Sequence, residues 1–211
     1  MIENIRYKFD QNIIKEKQIS IISGSDEAGR GAMAGPVVVA SVILKPNYNN
    51  PLVKDSKQLS EIQREALYQE IIDNAIEWKV SIIEAQRVDI LNPKQSSVVG
   101  MIETIRSFKT KPDLALIDGE DIKVTDFAYL KLIKGDDLSQ SIAAASIIAK
   151  VTRDRIMNQY EIDYPGYGFA NHKGYCALKH KQATAKLGVL DIHRKSYKPI
   201  KDILNSINSK K

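Results

Sequence analysis

The hydrophobic pattern changes period along the chain, and the changes mark out strands and helices. Residues 19–25 and 36–44 are runs rich in Ile and Val separated by a glycine-rich turn, which predicts a hairpin of two strands. Ser60, with Gln63 three positions later, predicts a capping box and a helix from about 61 to 76. Trp78–Ala85 alternates as a third strand. Pro93 stands near the start of a further helix, in which Val98, Met101, Ile102 and Ile105 recur at helical spacing. Leu114–Ile117 predicts a fourth strand ending in Asp118-Gly119, and Tyr129–Ile133 a fifth ending in Lys134-Gly135-Asp136. A long helix over roughly 138–160 comes next. Its stretch Ser141–Lys150 is almost all Ala and Ile, too apolar for a surface helix, so burial against the sheet is predicted. Tyr164–Tyr175 reads as a loop, and helices at about 176–187 and 199–208 close the chain, with Gly188 as a cap. Strands first, then strands interleaved with helices, give an α/β class with a mixed sheet flanked by helices. Without repeat, low-complexity tract or linker, the pattern predicts one domain over 1–211: a core at about 18–160 and a helical, basic extension at 161–211.

Composition narrows the class. With 43% hydrophobic and 27% charged residues among 211, the chain can bury a sizeable core. Met1–Lys17 is polar and charged and offers no secretory signal, and the weakly polar run Ala32–Leu44 is too short to span a bilayer. Cys176 is the only cysteine, which excludes an internal disulfide and a cysteine-rich zinc site. A cytoplasmic protein with no membrane partner is expected. Charge is uneven. Residues 172–211 carry ten Lys or Arg against two acids, whereas residues 1–171 carry 21 basic and 24 acidic residues. A basic end behind a near-neutral body suits a phosphate-backbone partner, and equally suits a solvated helix with a lysine tail.

The candidate chemistry is carboxylate chemistry. Asp26 and Glu27 lie where the first strand gives way to Ala28-Gly29-Arg30-Gly31; Asp118 and Asp136 follow later strands. Open α/β sheets gather ligands at the C-terminal edge of their strands, so these four can converge. Clustered carboxylates repel one another unless a divalent cation is shared, and oxygen-only ligands favour Mg²⁺ or Mn²⁺. Two such ions about 3.5–4 Å apart would clamp the attacking and leaving oxygens of a phosphodiester. Adjacent strand residues face opposite ways, so Asp26 and Glu27 need a bulge or a strand end to share a site. Plainer readings stand beside this one. Asp118-Gly119 alone fits a turn, Asp136 or Asp137 fits a helix cap, Glu120 and Asp121 fit solvated positions, and Gly-Arg-Gly fits an ordinary turn.

Asp26-Glu27-Ala28-Gly29-Arg30-Gly31, followed by Ala34-Gly35-Pro36-Val37, resembles the opening signature of the type 2 ribonucleases H, the bacterial ribonuclease HII family. Asp55-Ser56-Lys57, Asp118-Gly119, Lys134-Gly135-Asp136, Ser141–Ser146, Ala149–Arg155, Tyr164–Phe169, His172–Tyr175 and Ile192-His193-Arg194 continue the likeness in order, from about residue 19 to 200. The resemblance implies an RNase H-like fold with a five-stranded mixed sheet. It implies endonucleolytic cleavage of RNA in RNA–DNA hybrids and at single ribonucleotides in duplex DNA, 5′ to the ribonucleotide, leaving 5′-phosphate and 3′-hydroxyl ends. Carried over by motif, Asp26, Glu27, Asp118 and Asp136 become the catalytic, metal-binding acids for two Mg²⁺ or Mn²⁺ ions. Gly29, Arg30 and Gly31 become the loop gripping the backbone, and Tyr175 the sensor of the ribonucleotide. Asp136 is preferred to Asp137, which is left to cap the helix. Two departures stand out: Ala177 where the family often has Thr, and Ala32-Met33 where it often has Pro-Leu. A monomer acting on RNA–DNA duplexes is expected.

Overall fold

The computed structural model describes residues 3–208; Lys210 and Lys211 of the basic end, and the first two residues of the chain, lie outside the described residues. The elements run α1 (Ile5–Lys17), β1 (Ile22–Ala28), β2 (Val37–Leu44), α2 (Glu61–Asp73), β3 (Ala75–Ile83), α3 (Ala85–Leu91), α4 (Pro93–Arg106), β4 (Leu114–Asp118) and β5 (Tyr129–Leu132). They finish with α5 (Gly135–Leu138), α6 (Gln140–Asp163), α7 (Phe169–His172), α8 (Leu178–Leu187) and α9 (Lys198–Asn208). Among the described residues, no helix is long and apolar enough to cross a membrane.

The five strands form one mixed sheet in the order β3-β2-β1-β4-β5. β2 pairs antiparallel with β1 and β3, while β1, β4 and β5 run parallel, so those three strands point their C-terminal ends to the same edge. Period-two alternation on β2 assigns the two faces. Val38, Ala40 and Val42 pack toward α6 and α2, whereas Val37 and Val39 pack toward α4 with Val98, Met101 and Ile105. Burial on both faces explains the apolar run Val37–Leu44, interrupted only by Ser41, whose hydroxyl is hydrogen-bonded with Ser25 and Thr104.

α6 is the central helix, and fourteen of its residues are buried, from Gln140 to Met157, as its apolar stretch predicts. It lies so close to β1 that a Cβ built on Gly24 would stand 2.1 Å from the Ser141 carbonyl carbon and 2.4 Å from the Ile142 nitrogen. The capping box of Ser60 and Gln63 is present at the start of α2, Pro93 occupies the first turn of α4, and Gly188 caps α8 with φ +100°. β3 begins three residues earlier than the alternation predicts, directly after Asn74.

The N-terminal helix is the main surprise. Asn4 caps α1, its side chain accepting from the Tyr7 N–H. Its buried residues are Asp10 and Ile13, so its inward face is partly ionic and invisible to an apolar-period search. The Asp10 carboxylate accepts from the Ser141 N–H and Oγ at 2.9 and 2.8 Å, docking α1 on the first turn of α6. Asn4 donates to Gln140 Oε1 at 2.6 Å, and Arg6 donates to the Asp136 carbonyl at 3.3 Å. α1 therefore clasps residues 136–141.

Replacing Gly24 by Ala should lower the unfolding free energy by about 3 kcal/mol, since the Cβ meets helix backbone that cannot turn aside. Urea denaturation checks this; an unchanged midpoint would mean α6 does not sit as described.

Candidate active site

Strand ends build the site. The β1–β4 ladder stops at Ser25 opposite Ile117, so Asp26 and Glu27 run past the last β4 partner while still paired with β2, and Asp118 closes β4 beside them. The β1–β2 register runs without a bulge through Asp26↔Ala40, Glu27↔Val39 and Ala28↔Val38. Neither the bulge nor the strand end expected for the adjacent pair is present: β1 continues to Ala28 on β2, and the two acids stay on opposite faces. Asp26 shares the α6 face with Gly24 and Ala28, and Glu27 lies on the α4 face. One groove crosses the strand end and takes in Asp26, Glu27, Gly29, Arg30, Gly31, Lys57, Asp118, Lys150 and Tyr175.

Asp136 arrives differently. It does not end a strand: it sits in the short helix α5, four residues after β5. The Gly135 N–H donates to Asp118 Oδ1 at 2.7 Å, which brings the Asp136 turn against Asp118. Lys57 Nζ lies 3.8 Å from Asp136 and 3.8 Å from Asp55, bridging this side of the site. Neither Asp136 nor Asp137 caps a helix: Lys134 precedes α5, and Ser139 caps α6 through its side chain. Asp137 instead accepts from Gln58 and faces Arg6 at 3.9 Å.

Burial and mutual repulsion set the charge state. The Asp26 carboxyl, 5% exposed, is held well above the ordinary carboxylate range, first by burial and then by Glu27 and Asp118. Glu27 is pushed up to about 7 by burial, with Arg30 opposing and Asp118 and Glu120 adding to the rise. Asp136 is pushed up to about 6, again by burial first and then by Asp118 and Asp55. Asp118 is raised by burial against the pull of the Gly135 N–H and Lys57. As the side chains lie, no group of three His, Cys, Asp or Glu among the described residues is set to enclose a metal ion. The acids are instead engaged one by one: Asp26 with the Glu27 N–H at 2.7 Å, Asp118 with Gly135, Glu27 near Arg30, and Asp136 near Lys57.

The loop 29–36 is braced by two buried arginines. Gly29 has φ +93°, and a Cβ there would fall 1.9 Å from Arg153 Nε, so only glycine fits. Arg153 donates to the carbonyls of Pro36, Lys173 and Ala34, and Arg194 to those of Gly35 and Arg30. Each side chain is fully buried, and carbonyl oxygens take the place of a carboxylate partner. Arg153 Cζ also lies 5.3 Å from the Tyr175 ring, coupling the two halves of the groove.

Tyr175 is 40% exposed, its backbone fixed by a chain of neutral histidines. The Leu190 N–H donates to His193 Nδ1, which leaves His193 Nε2 to donate toward His180 Nε2 at 3.2 Å; His180 Nδ1 then donates to the Tyr175 carbonyl at 2.9 Å. Burial pushes both His180 and His193 down to about 4. His172 bonds to Tyr167 and Gly174 and packs on His180 at 4.1 Å. The three histidines hold the Tyr175 turn.

Glu120 is the clearest departure from sequence expectation. It is not solvated: it is 8% exposed and receives Arg30 Nη1 at 2.8 Å. Lys57 and Lys150 were visible inside motifs, yet spacing alone gave neither a role.

A profile of the family described as Ribonuclease HII matches residues 23–200. The chain belongs to the ribonuclease HII family. Ribonuclease HII of Mycoplasma capricolum is 57% identical over 199 residues, covering 94% of this chain and 96% of that protein. Ribonuclease HII of Carboxydothermus hydrogenoformans is 40% identical, covering 93% and 85%. The crystal structure of ribonuclease H2 from Pyrococcus horikoshii superposes with a TM-score of 0.77 at 26% identity, covering 90% of this chain and 99% of that one. As a ribonuclease HII, the protein is an endoribonuclease, a metal-dependent hydrolase acting on the RNA strand of RNA–DNA hybrids.

Two outcomes are expected. Unfolded histidines take up protons near pH 6.5, before His180 and His193 do in the fold, so their contribution to stability is lost as pH falls from about 6.5 to 4. The stability gap between the parent protein and His193→Gln, read by urea denaturation, should therefore narrow from pH 7 to pH 5. Ala177 stands at the N-cap of α8 with extended backbone (φ −82°, ψ 155°) and no side-chain cap. Ala177→Thr should add about 1 kcal/mol of stability by supplying one.

Proposed function

We propose that this ribonuclease HII also cleaves single ribonucleotides embedded in duplex DNA, on their 5′ side, leaving 5′-phosphate and 3′-hydroxyl ends. The observation that carries the reading is the shared groove: strand-end carboxylates at its floor, with Gly29-Arg30-Gly31 and Tyr175 forming its wall. A sugar-reading aromatic beside the reacting centre lets one ribonucleotide be recognised where it is cut. We assign Asp26, Glu27, Asp118 and Asp136 as ligands of two Mg²⁺ or Mn²⁺ ions. The donor set fits, because it is all oxygen, and carboxyls raised by burial and mutual repulsion mark an excess of negative charge that divalent cations offset. When bound, the ions supply Lewis acidity at the phosphate and the attacking water.

The chain's own groups do the remaining work. Asp26 and Glu27 approach from opposite faces of the sheet edge, and Asp118 and Asp136 from the neighbouring parallel side, so a phosphate in the groove meets carboxylates from several directions. Arg30 and Lys57, half-exposed and exposed respectively, turn from the acids to the substrate phosphates. The Tyr175 ring packs against the ribose, and N–H groups of the glycine-rich loop reach the 2′-hydroxyl, the atom that separates RNA from DNA. No protein nucleophile is required, and the histidines, all engaged around Tyr175, supply none. The protein works as a cytoplasmic monomer of one domain, whose basic segment at 172–211 adds affinity for duplex.

Asp118→Asn should abolish cleavage of a duplex carrying one embedded ribonucleotide while leaving duplex binding within about threefold, because one ligand is lost and the groove's shape is kept. Cleavage and gel-shift assays with added Mg²⁺ check this; full activity in the variant would refute the assignment. A parent enzyme that cuts only long hybrids would refute the single-ribonucleotide reading.

A further inference from the structure

Arg30 stands between two carboxylates. Its Nη1 hydrogen-bonds Glu120 Oε1 at 2.8 Å and lies 3.4 Å from Glu27 Oε1, close enough for an ion pair but without a hydrogen bond. Both side chains are equally covered, 11% exposed, but Glu27 has Asp26 and Asp118 alongside and so is the one that most needs a counter-charge. Left to itself, a flexible guanidinium beside such a carboxylate would settle on it. Glu120 is anchored against that pull. It follows the tight turn at Asp118-Gly119, and its other oxygen lies 3.6 Å from Lys94 Nζ, a side chain carried by the first turn of α4.

We propose that Glu120 is a positioning residue that draws Arg30 off Glu27 and so keeps Glu27 free to bind a divalent cation. The proposal rests on the assignment of Glu27 as a metal ligand. Glu120 does not itself enter the metal site: Lys94 and Arg30 occupy its two oxygens. The arrangement also points Arg30 along the groove, toward the phosphate it is assigned to grip, so one tether serves both the cation and the substrate. A charge fixed at 120 is thereby a determinant of the site even though it lies outside the set of four acids.

The test is Mn²⁺ binding to the full chain without nucleic acid, measured by calorimetry, for the parent protein and for Glu120→Gln, Arg30→Ala, the double variant and Asp118→Asn. Gln keeps the shape of Glu and loses the charge, so Arg30 moves to Glu27 and Mn²⁺ affinity falls about fivefold, the size of a partly exposed ion pair. In the Arg30→Ala background there is no guanidinium to release, and Glu120→Gln should change affinity by less than about twofold. A fivefold loss that persists in the double variant would mean that Glu120 acts by its field alone, and the positioning role would be overturned. Unchanged affinity in Glu120→Gln, together with loss in Asp118→Asn, would overturn this proposal and leave the metal assignment standing. A parent protein that binds no Mn²⁺ would remove both.

Discussion

Carboxylates that repel one another across the ends of β1 and β4 stay together only on a scaffold stiff enough to resist them. That repulsion is the constraint the rest of the molecule answers. Parallel pairing of β1, β4 and β5 fixes the direction from which the acids arrive. The backbone-to-backbone approach of α6 to Gly24 leaves β1 no freedom to recoil. α1 adds a clasp over residues 136–141, and the Gly135 N–H ties that segment to Asp118. Secondary structure, core packing and caps thus converge on holding like charges at close quarters.

Positive charge is handled with the same economy on the opposite wall. Arg153 and Arg194 are buried among carbonyl oxygens, so they remain cationic without a carboxylate to cancel them. Burial lowers the Arg153 pKa only to about 10, well above neutrality. Their field adds to that of Arg30 and Lys150 on the side where Tyr175 stands, while the acids occupy the floor. The groove is therefore polarised across its width, a suitable setting for a polyanion whose reacting phosphate must come close to negatively charged side chains.

Much of this was legible in the sequence, and what was missed has physical causes. The capping box at Ser60 and the apolar run of α6 read correctly because each depends on near neighbours in the chain. Asp136 is singled out by its motif, but its place in a short helix past β5, where the Gly135 N–H bonds Asp118, is recorded in no local pattern. Asp137 was expected to cap and pairs with Gln58 and Arg6 instead. Glu120 was expected in solvent because an Asp-Gly-Glu-Asp stretch is polar throughout; only the fold brings Arg30 and Lys94 to it. α1 escaped notice because a buried Asp replaces part of the usual apolar stripe.

The clasp formed by α1 has a practical side for anyone handling the protein. Asn4, Arg6 and Asp10 make their bonds within the first turns of the chain, so an affinity tag fused in front of Asn4, or a shortened expression variant that starts later, disturbs the support of Asp136 from a distance. Poor activity in such material would report on the bracing of one loop, with the reactive groups themselves untouched.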